Sequence, residues 1–155
     1  MSRFRCLPID PAVAERFRAT GHDDAGNPLR CMTADHPSPC QVCLCDAAVG
    51  EPVLLGSYNL PRPHGIYWTP SPIFVPATPC VPFDAADQVA PILRGRMISA
   101  RAYDAEDQCV YDLGFAGNGV EIDGPLKRAL NDPRTAFVNV HTVKPGCLLC
   151  RVERA

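Results

Sequence analysis

Residues 136–152 read AFVNVHTVKPGCLLCRV. Apolar residues alternate with others on both sides of a Lys-Pro-Gly turn, which predicts two strands joined in a hairpin. In the first strand Asn139 and His141 share one face, because side chains two residues apart point to the same side of a sheet. Cys147 and Cys150 follow the turn. The hairpin therefore gathers a histidine and two thiols at one end of the predicted fold.

Two further hairpins and a few short helices are predicted upstream. The clearest helix covers residues 11–20, where Asp10 is an N-cap, proline occupies the first helical position and Gly21 is the terminating glycine. A second helical face runs through residues 122–130. The upstream hairpins pair residues 40–46 with 53–58 and residues 97–104 with 109–115.

These elements predict the α+β class, with a mostly antiparallel sheet built from hairpins and two or three short helices packed on one side. No internal repeat and no linker composition divides the chain. We therefore expect one domain that spans residues 1–155. In that domain residues 40–46 and 147–152 are expected to lie in the same sheet.

Composition and charge narrow the class of partner. The 155 residues carry a formal charge of −2, and Lys and Arg are scattered singly, so neither a basic stripe for nucleic acid nor a basic amphipathic helix for a membrane is present. The chain starts without the apolar run of a signal peptide, which predicts a cytoplasmic protein. In that reducing compartment, nine cysteines favour free thiols or metal thiolates over disulfides. A small molecule or a metal ion is the expected partner.

Two Cys-x-x-Cys pairs are present, Cys40 with Cys43 and Cys147 with Cys150. Together they match the ligand number and type that zinc requires. If residues 40–46 form a strand, however, the two cysteines of a pair lie on opposite faces. A better set then joins Cys43 and Cys45 with Cys150 or His141 from a neighbouring strand. The alternative is that these thiols pack as small buried hydrophobes. The predicted zinc ligands are Cys40, Cys43, Cys45 and Cys150.

Cys147 and His141 support a second hypothesis, a cysteine-dependent enzyme or a thiol redox protein. Cys147 follows a Pro-Gly turn, and His141 lies just upstream across the same bend. A cysteine nucleophile needs a base within hydrogen-bond reach. The alternative is a structural histidine bonded to a loop carbonyl. Strong catalytic signatures such as the phosphate-binding loop and the nucleophile elbow are absent from the sequence, so enzymatic activity stays an open question.

Arg101 and Tyr103 share a strand face, and they predict a ligand pocket if that face meets Asn139 and His141. The guanidinium fork of arginine suits a carboxylate or another small anion. The alternative is a solvated sheet face on which Arg101 pairs with an acidic residue. A guanidinium beside His141 would disfavour the imidazolium, so the pKa of His141 is predicted to be lowered.

Short segments along the chain occur in the order and spacing of a known family. They are PCQV at 39–42, DA at 46–47, GE at 50–51, PIFV at 72–75, RAYDA at 101–105, VH at 140–141, PGC at 145–147 and RVERA at 151–155. In these segments the chain resembles the small bacterial proteins of domain-of-unknown-function family 1203, whose name implies no activity. The chain departs from the family pattern at Cys43, Cys45 and Cys150, and at Thr142-Val143. The resemblance therefore implies that the site common to the family consists of His141, Cys147, Cys40 and Arg101.

Overall fold

The computed structural model describes residues 3–155. Its elements are, in chain order, β1 (Phe4–Leu7), α1 (Pro11–Thr20), β2 (Arg30–Thr33), β3 (Ser38–Pro39), β4 (Asp46–Ala47), β5 (Pro52–Asn59), β6 (Pro70–Pro76), α2 (Pro91–Arg94), β7 (Met97–Tyr103), β8 (Phe115–Asn118), α3 (Asp123–Asn131), β9 (Phe137–Thr142) and β10 (Leu148–Arg154). All pairings between these strands are antiparallel. This content confirms the predicted α+β class.

The main sheet has five strands in the order β1-β10-β9-β7-β8. The predicted C-terminal hairpin forms, and its first strand, β9, is the central strand of the sheet. Asn139 of β9 lies opposite Arg151 of β10 on one side and opposite Arg101 of β7 on the other. Because directly opposed residues point to the same face, these three polar side chains share one face of the sheet.

The first hydrophobic core covers the other face of the main sheet. Val138 and Val140 of β9 are buried there against Leu126 and Leu130 of α3, which are four residues apart and therefore on one side of that helix. The predicted helix at residues 122–130 corresponds to α3, with a shift of one residue at each end. Burial of these aliphatic side chains holds the helix on the sheet.

The second core joins α1 to the three-stranded sheet β2-β5-β6. Phe17 of α1 and Ile73 of β6 are fully buried in it, and Leu148 of β10 also belongs to it. Leu148 lies opposite His141, which alternates along β9 with the first-core residue Val140. The second core therefore lies on the face of the main sheet that carries Asn139.

The predicted boundaries of α1 are confirmed at both ends. The side chain of Asp10 accepts a hydrogen bond from the Ala12 N–H at 2.9 Å, and Gly21 has a φ of 68°, the left-handed conformation of a helix-terminating glycine.

In the three-stranded sheet, β6 contains prolines at positions 70, 72 and 76 and is an edge strand. Prolines lack the N–H that a central strand must donate on both sides, which explains that position.

The prediction of a strand at residues 40–46 was wrong. Residues 40–45 form a closed turn, in which the Cys40 N–H donates to the Cys45 carbonyl and the Leu44 N–H donates to the Cys40 carbonyl, both at 3.0 Å. Leu44 has a φ of 55° and is buried in the first core, whereas Cys40 and Val42 are buried in the second core. A straight strand cannot supply both cores in this way, so tertiary packing bends the segment.

Strand pairing around this turn also differs from the prediction. Only β4 remains of the expected strand, and it pairs with β3 in a separate two-stranded sheet. Residues 40–46 and 147–152 therefore do not share a sheet, and the prediction that they do was wrong. Residues 53–58 lie in β5 as expected, but β5 pairs with β2 and β6 instead.

The expected partner of β7 was also misplaced. In residues 109–115 only a single bridge from Cys109 to Tyr103 forms, followed by a 3-10 turn at Tyr111–Leu113, and the paired strand β8 begins at Phe115. Leu113 is buried in the first core, which draws this segment out of line with β7.

Candidate metal centre

Three thiols meet at the closed turn of residues 40–45. The Sγ atoms of Cys40, Cys43 and Cys80 all lie within 4.8 Å of one another, and those of Cys40 and Cys80 are 3.7 Å apart. Cys40 is buried, and the other two are partly exposed. We call Cys40, Cys43 and Cys80 the thiol cluster. Three thiols at this spacing could hold one metal ion.

The backbone of the turn directs an N–H group at the Cys40 thiol. The Cys43 N–H points at the Cys40 Sγ, with an N···S distance of 3.4 Å. Burial nevertheless raises the pKa of the Cys40 thiol, although the backbone N–H groups of Cys43 and Val42 oppose that effect. Without a cation, a buried thiolate next to other thiols is unfavourable. A bound divalent ion reverses this balance, since it removes the thiol protons outright.

Cys80 reaches the cluster from the irregular segment between β6 and α2. That segment is tied to the turn by a hydrogen bond from the Phe83 N–H to the Val42 carbonyl, at 3.0 Å. Burial raises the pKa of the Cys80 thiol, as it does for Cys40. Sequence analysis missed Cys80, because a single cysteine in a proline-rich segment carries no ligand spacing. The only available signal was that a zinc site needs further thiols beyond one Cys-x-x-Cys pair.

Cys45 lies at the border of the thiol cluster. Its side chain is exposed, and the Cys43 thiol contacts its carbonyl oxygen with an S···O distance of 4.0 Å. Loss of some solvent contact raises the pKa of the Cys45 thiol, and the nearby Cys43, Asp46 and Cys80 raise it further. Cys45 therefore interacts electrostatically with the cluster, but its thiol is not one of the three that meet.

Cys150, the remaining predicted zinc ligand, lies elsewhere. It is buried in the first core beside Cys6 of β1. The neighbouring Cys6 and burial both raise the pKa of the Cys150 thiol. Of the four predicted ligands the structure thus brings together Cys40 and Cys43, with Cys45 beside them, and Cys80 joins them where Cys150 was expected. The difference arises because residues 40–45 turn away from the sheet that contains Cys150.

His141 and Cys147, the predicted catalytic pair, flank the turn between β9 and β10. The His141 Nδ1 lies 2.9 Å from the Gly146 carbonyl oxygen, and because a carbonyl only accepts, Nδ1 carries the proton. Cys147 is buried, and burial raises the pKa of its thiol. The Cys147 backbone N–H donates to the Thr142 Oγ1 at 2.9 Å. In residues 3–155 no hydrogen bond joins the two side chains. A catalytic role for this pair stays a prediction.

The pKa of His141 is lowered to about 4, as the sequence predicted. The larger cause is burial, with a smaller contribution from the Arg101 guanidinium, whereas the prediction rested on Arg101 alone. We expect an NMR titration, assigned with His141→Gln, to show a neutral ring at pH 7 that titrates near pH 4. An apparent pKa above the ordinary value of about 6.5 would contradict the buried environment.

The same shift predicts how stability depends on pH. In the unfolded chain His141 takes up a proton below about pH 6.5, but in the folded protein it does so only near pH 4. Within that window the unfolded state binds more protons, so protonation favours unfolding. The contribution of His141 to stability is therefore complete above pH 6.5 and is lost as the pH falls towards 4.

The predicted anion-binding residues are only partly brought together. Arg101 lies opposite Asn139, and its Nε contacts the Ser99 Oγ at 3.4 Å. The Tyr103 ring stacks on Phe137, with centroids 5.1 Å apart. The Asn139 side chain instead lines a cavity of about 450 Å³ to which neither Arg101 nor Tyr103 contributes.

None of the helices in residues 3–155 is long and apolar enough to cross a membrane.

Comparisons with known proteins give one match. No curated protein and no solved structure matches the chain. A family model described as "Protein of unknown function (DUF1203)" matches residues 37–154, a span that contains the thiol cluster, Cys45, His141 and Cys147. The chain therefore belongs to the DUF1203 family.

Proposed function

We propose that the protein binds one zinc ion through Cys40, Cys43 and Cys80, with Cys45 as the fourth ligand. The observation that carries this proposal is the 3.7 Å separation between the Cys40 and Cys80 Sγ atoms, with the Cys43 Sγ within 4.8 Å of both. Tetrahedral zinc with Zn–S bonds of about 2.3 Å holds its sulfur ligands about 3.8 Å apart. A disulfide would instead need a separation of about 2.0 Å.

Cys45 would complete the ligand set once its exposed side chain turns towards the cluster. The closed turn already brings its backbone to Cys40, since the Cys40 N–H donates to the Cys45 carbonyl. Its exposed side chain is free to rotate towards Cys43. Four thiolates select zinc over magnesium or calcium, which prefer oxygen ligands.

The proposed ion has a structural role. A four-thiolate zinc site has no open coordination position for a substrate or a water molecule, which is the arrangement of structural sites. Here the ion would fasten Cys80, in the segment between β6 and α2 that lacks regular secondary structure, to the turn of residues 40–45. That turn contributes side chains to both cores. The ion would therefore stabilise the junction between the two layers of the fold.

Metal analysis of single-cysteine variants tests the proposal. Protein purified without added zinc should contain about one equivalent of zinc, and Cys43→Ser or Cys80→Ser should lose most of it, because each removes a thiol that the fold already holds at the site. Cys45→Ser should keep the ion with weaker affinity, since the three clustered thiols remain and water can replace the fourth ligand. Cys31→Ser is the matched control, because Cys31 is an exposed cysteine of β2 outside the cluster.

Cobalt provides an independent readout of the same site. A cobalt-substituted protein should show the thiolate charge-transfer band, and that band should disappear in Cys80→Ser while it persists in Cys31→Ser. Reduced protein that takes up neither zinc nor cobalt, or a Cys80→Ser variant with undiminished metal content, would overturn the proposal.

A further inference from the structure

A cavity of about 450 Å³ lies on the Asn139 face of the main sheet, between β10, the start of α1 and the end of β5. It is separate from the thiol cluster, since none of the clustered cysteines lines it. Its size is within the range of small-molecule sites. Apolar side chains of Val13, Tyr58 and Leu148 form part of its wall.

Three arginines and two aspartates line the cavity, and most of their charge is paired. Arg16 forms an ion pair with Asp24. Asp10 accepts the hydrogen bond that caps α1. Arg62 is paired with Asp107, which lies outside the cavity. The remaining arginine, Arg151, forms an ion pair with Glu153 through its Nη1 at 3.2 Å, and this is its single side-chain hydrogen bond within residues 3–155.

Arg62 and Arg151 both lie over the ring of Phe137. Their guanidinium carbons lie 4.3 Å and 5.0 Å from the centroid of the same buried Phe137 ring. Both arginines line the cavity, so an anion bound there lies near two positively charged side chains. The planar fork of Arg151 retains donors for a carboxylate.

Asn139 adds a requirement for a hydrogen-bond donor. Its side chain is buried, and its Nδ2 donates to the Arg62 carbonyl at 3.0 Å, which fixes the orientation of the amide. Its Oδ1 has no hydrogen-bond partner within residues 3–155. A buried acceptor of this kind is normally satisfied. Asn139 and Arg151 are paired on the neighbouring strands β9 and β10 and share one face of the sheet. A ligand that satisfies both must therefore carry its hydrogen-bond donor next to its anionic group.

We propose that this cavity binds a small 2-hydroxy or 2-amino carboxylic acid with an apolar side chain. The carboxylate pairs with Arg151 near Arg62, the neighbouring hydroxyl or amino group donates to the Asn139 Oδ1, and the apolar part contacts Tyr58 and Leu148. The hydroxyl and amino forms share this chemistry, so direct comparison distinguishes them.

Three ligands with one carbon skeleton test the assignment: 2-hydroxy-4-methylpentanoate, leucine and 4-methylpentanoate. Binding to the full chain is followed by chemical-shift changes of the Asn139 side-chain amide. At least one of the two ligands that carry a donor should bind about tenfold or more tightly than 4-methylpentanoate, which lacks it. Equal affinities for all three, or no shift at about 10 mM ligand, would overturn the proposal.

Variants separate the two contacts. Arg151→Gln should weaken binding about 10- to 100-fold, and Arg151→Lys should weaken it less, because lysine keeps the charge without the fork. Arg128→Gln is the matched control, since Arg128 is an exposed residue of α3 on the opposite side of the sheet. Asn139→Ala should remove the preference for a donor. If Asn139→Ala does not fold, the ligand comparison and the Arg151 variants decide the matter. Unchanged affinity in Arg151→Gln would contradict the site.

Discussion

Loss of the proposed zinc ion, through a chelator or through Cys80→Ser, should lower the thermal unfolding temperature by about 10 °C. A ligand that binds only the native state contributes about 4 kcal/mol when its concentration is a thousandfold above its Kd. In a chain of this size each kcal/mol shifts the midpoint by about 2 to 4 °C. Thermal denaturation followed by circular dichroism, at a fixed zinc concentration, measures the change.

The control for this experiment is Cys31→Ser, which removes an exposed thiol outside the cluster. That variant should unfold at the wild-type temperature and should respond to the chelator as the wild type does. Cys80→Ser should be insensitive to the chelator, because its metal is already lost. An identical response of Cys80→Ser and the wild type to chelation would show that the cluster does not hold the stabilising ion.

Gln41→Ala is expected to lower the free energy of unfolding by about 2 to 5 kcal/mol, because it leaves two backbone groups without a partner. Gln41 is fully buried. Its Nε2 donates to the Leu148 carbonyl at 3.1 Å, and its Oε1 accepts from the Phe74 N–H at 2.8 Å. One side chain thus connects the turn of residues 40–45 to β10 of the main sheet and to β6 of the second sheet. Urea denaturation measures the loss.

Gln88→Ala provides the comparison, since Gln88 is exposed and its replacement should change stability by less than about 0.5 kcal/mol. Gln41→Glu refines the test. The carboxylate can still accept from Phe74 but cannot donate to Leu148, so this variant should also be destabilised. A Gln41→Ala protein as stable as Gln88→Ala would mean that the buried amide does not hold the layers together.

Local signals predicted the parts of the fold whose causes are local. The ends of α1 follow from Asp10, Pro11 and Gly21, which act on the backbone within a few residues of their own position. The hairpin of β9 and β10 follows from alternation and from the Lys-Pro-Gly turn between the strands. Both features depend on residues close together in the sequence and not on distant contacts.

The turn of residues 40–45 could not be predicted in this way. Its alternation of Cys40, Val42 and Leu44 is typical of a strand, but Leu44 is buried in a different core from the other two. The position of the two cores depends on contacts with β6, β10 and α2, which lie far away in the sequence. Tertiary burial therefore overrode the local pattern. A strand would have placed Cys40 and Cys43 on opposite faces, whereas the turn brings their thiols together.

The sequence by itself determined the α+β class, the ends of α1 and the C-terminal hairpin. It predicted the direction of the His141 pKa shift, but tertiary burial is the larger cause of that shift. Only the tertiary structure decided which thiols meet: it brought Cys80 to Cys40 across forty residues and placed Cys150 in the first core. It also placed Arg62 and Arg151 over one Phe137 ring. The physical reason is that contacts between distant residues depend on how both cores pack, whereas loop-closure entropy changes only slowly with separation and so marks no preferred partner in the sequence.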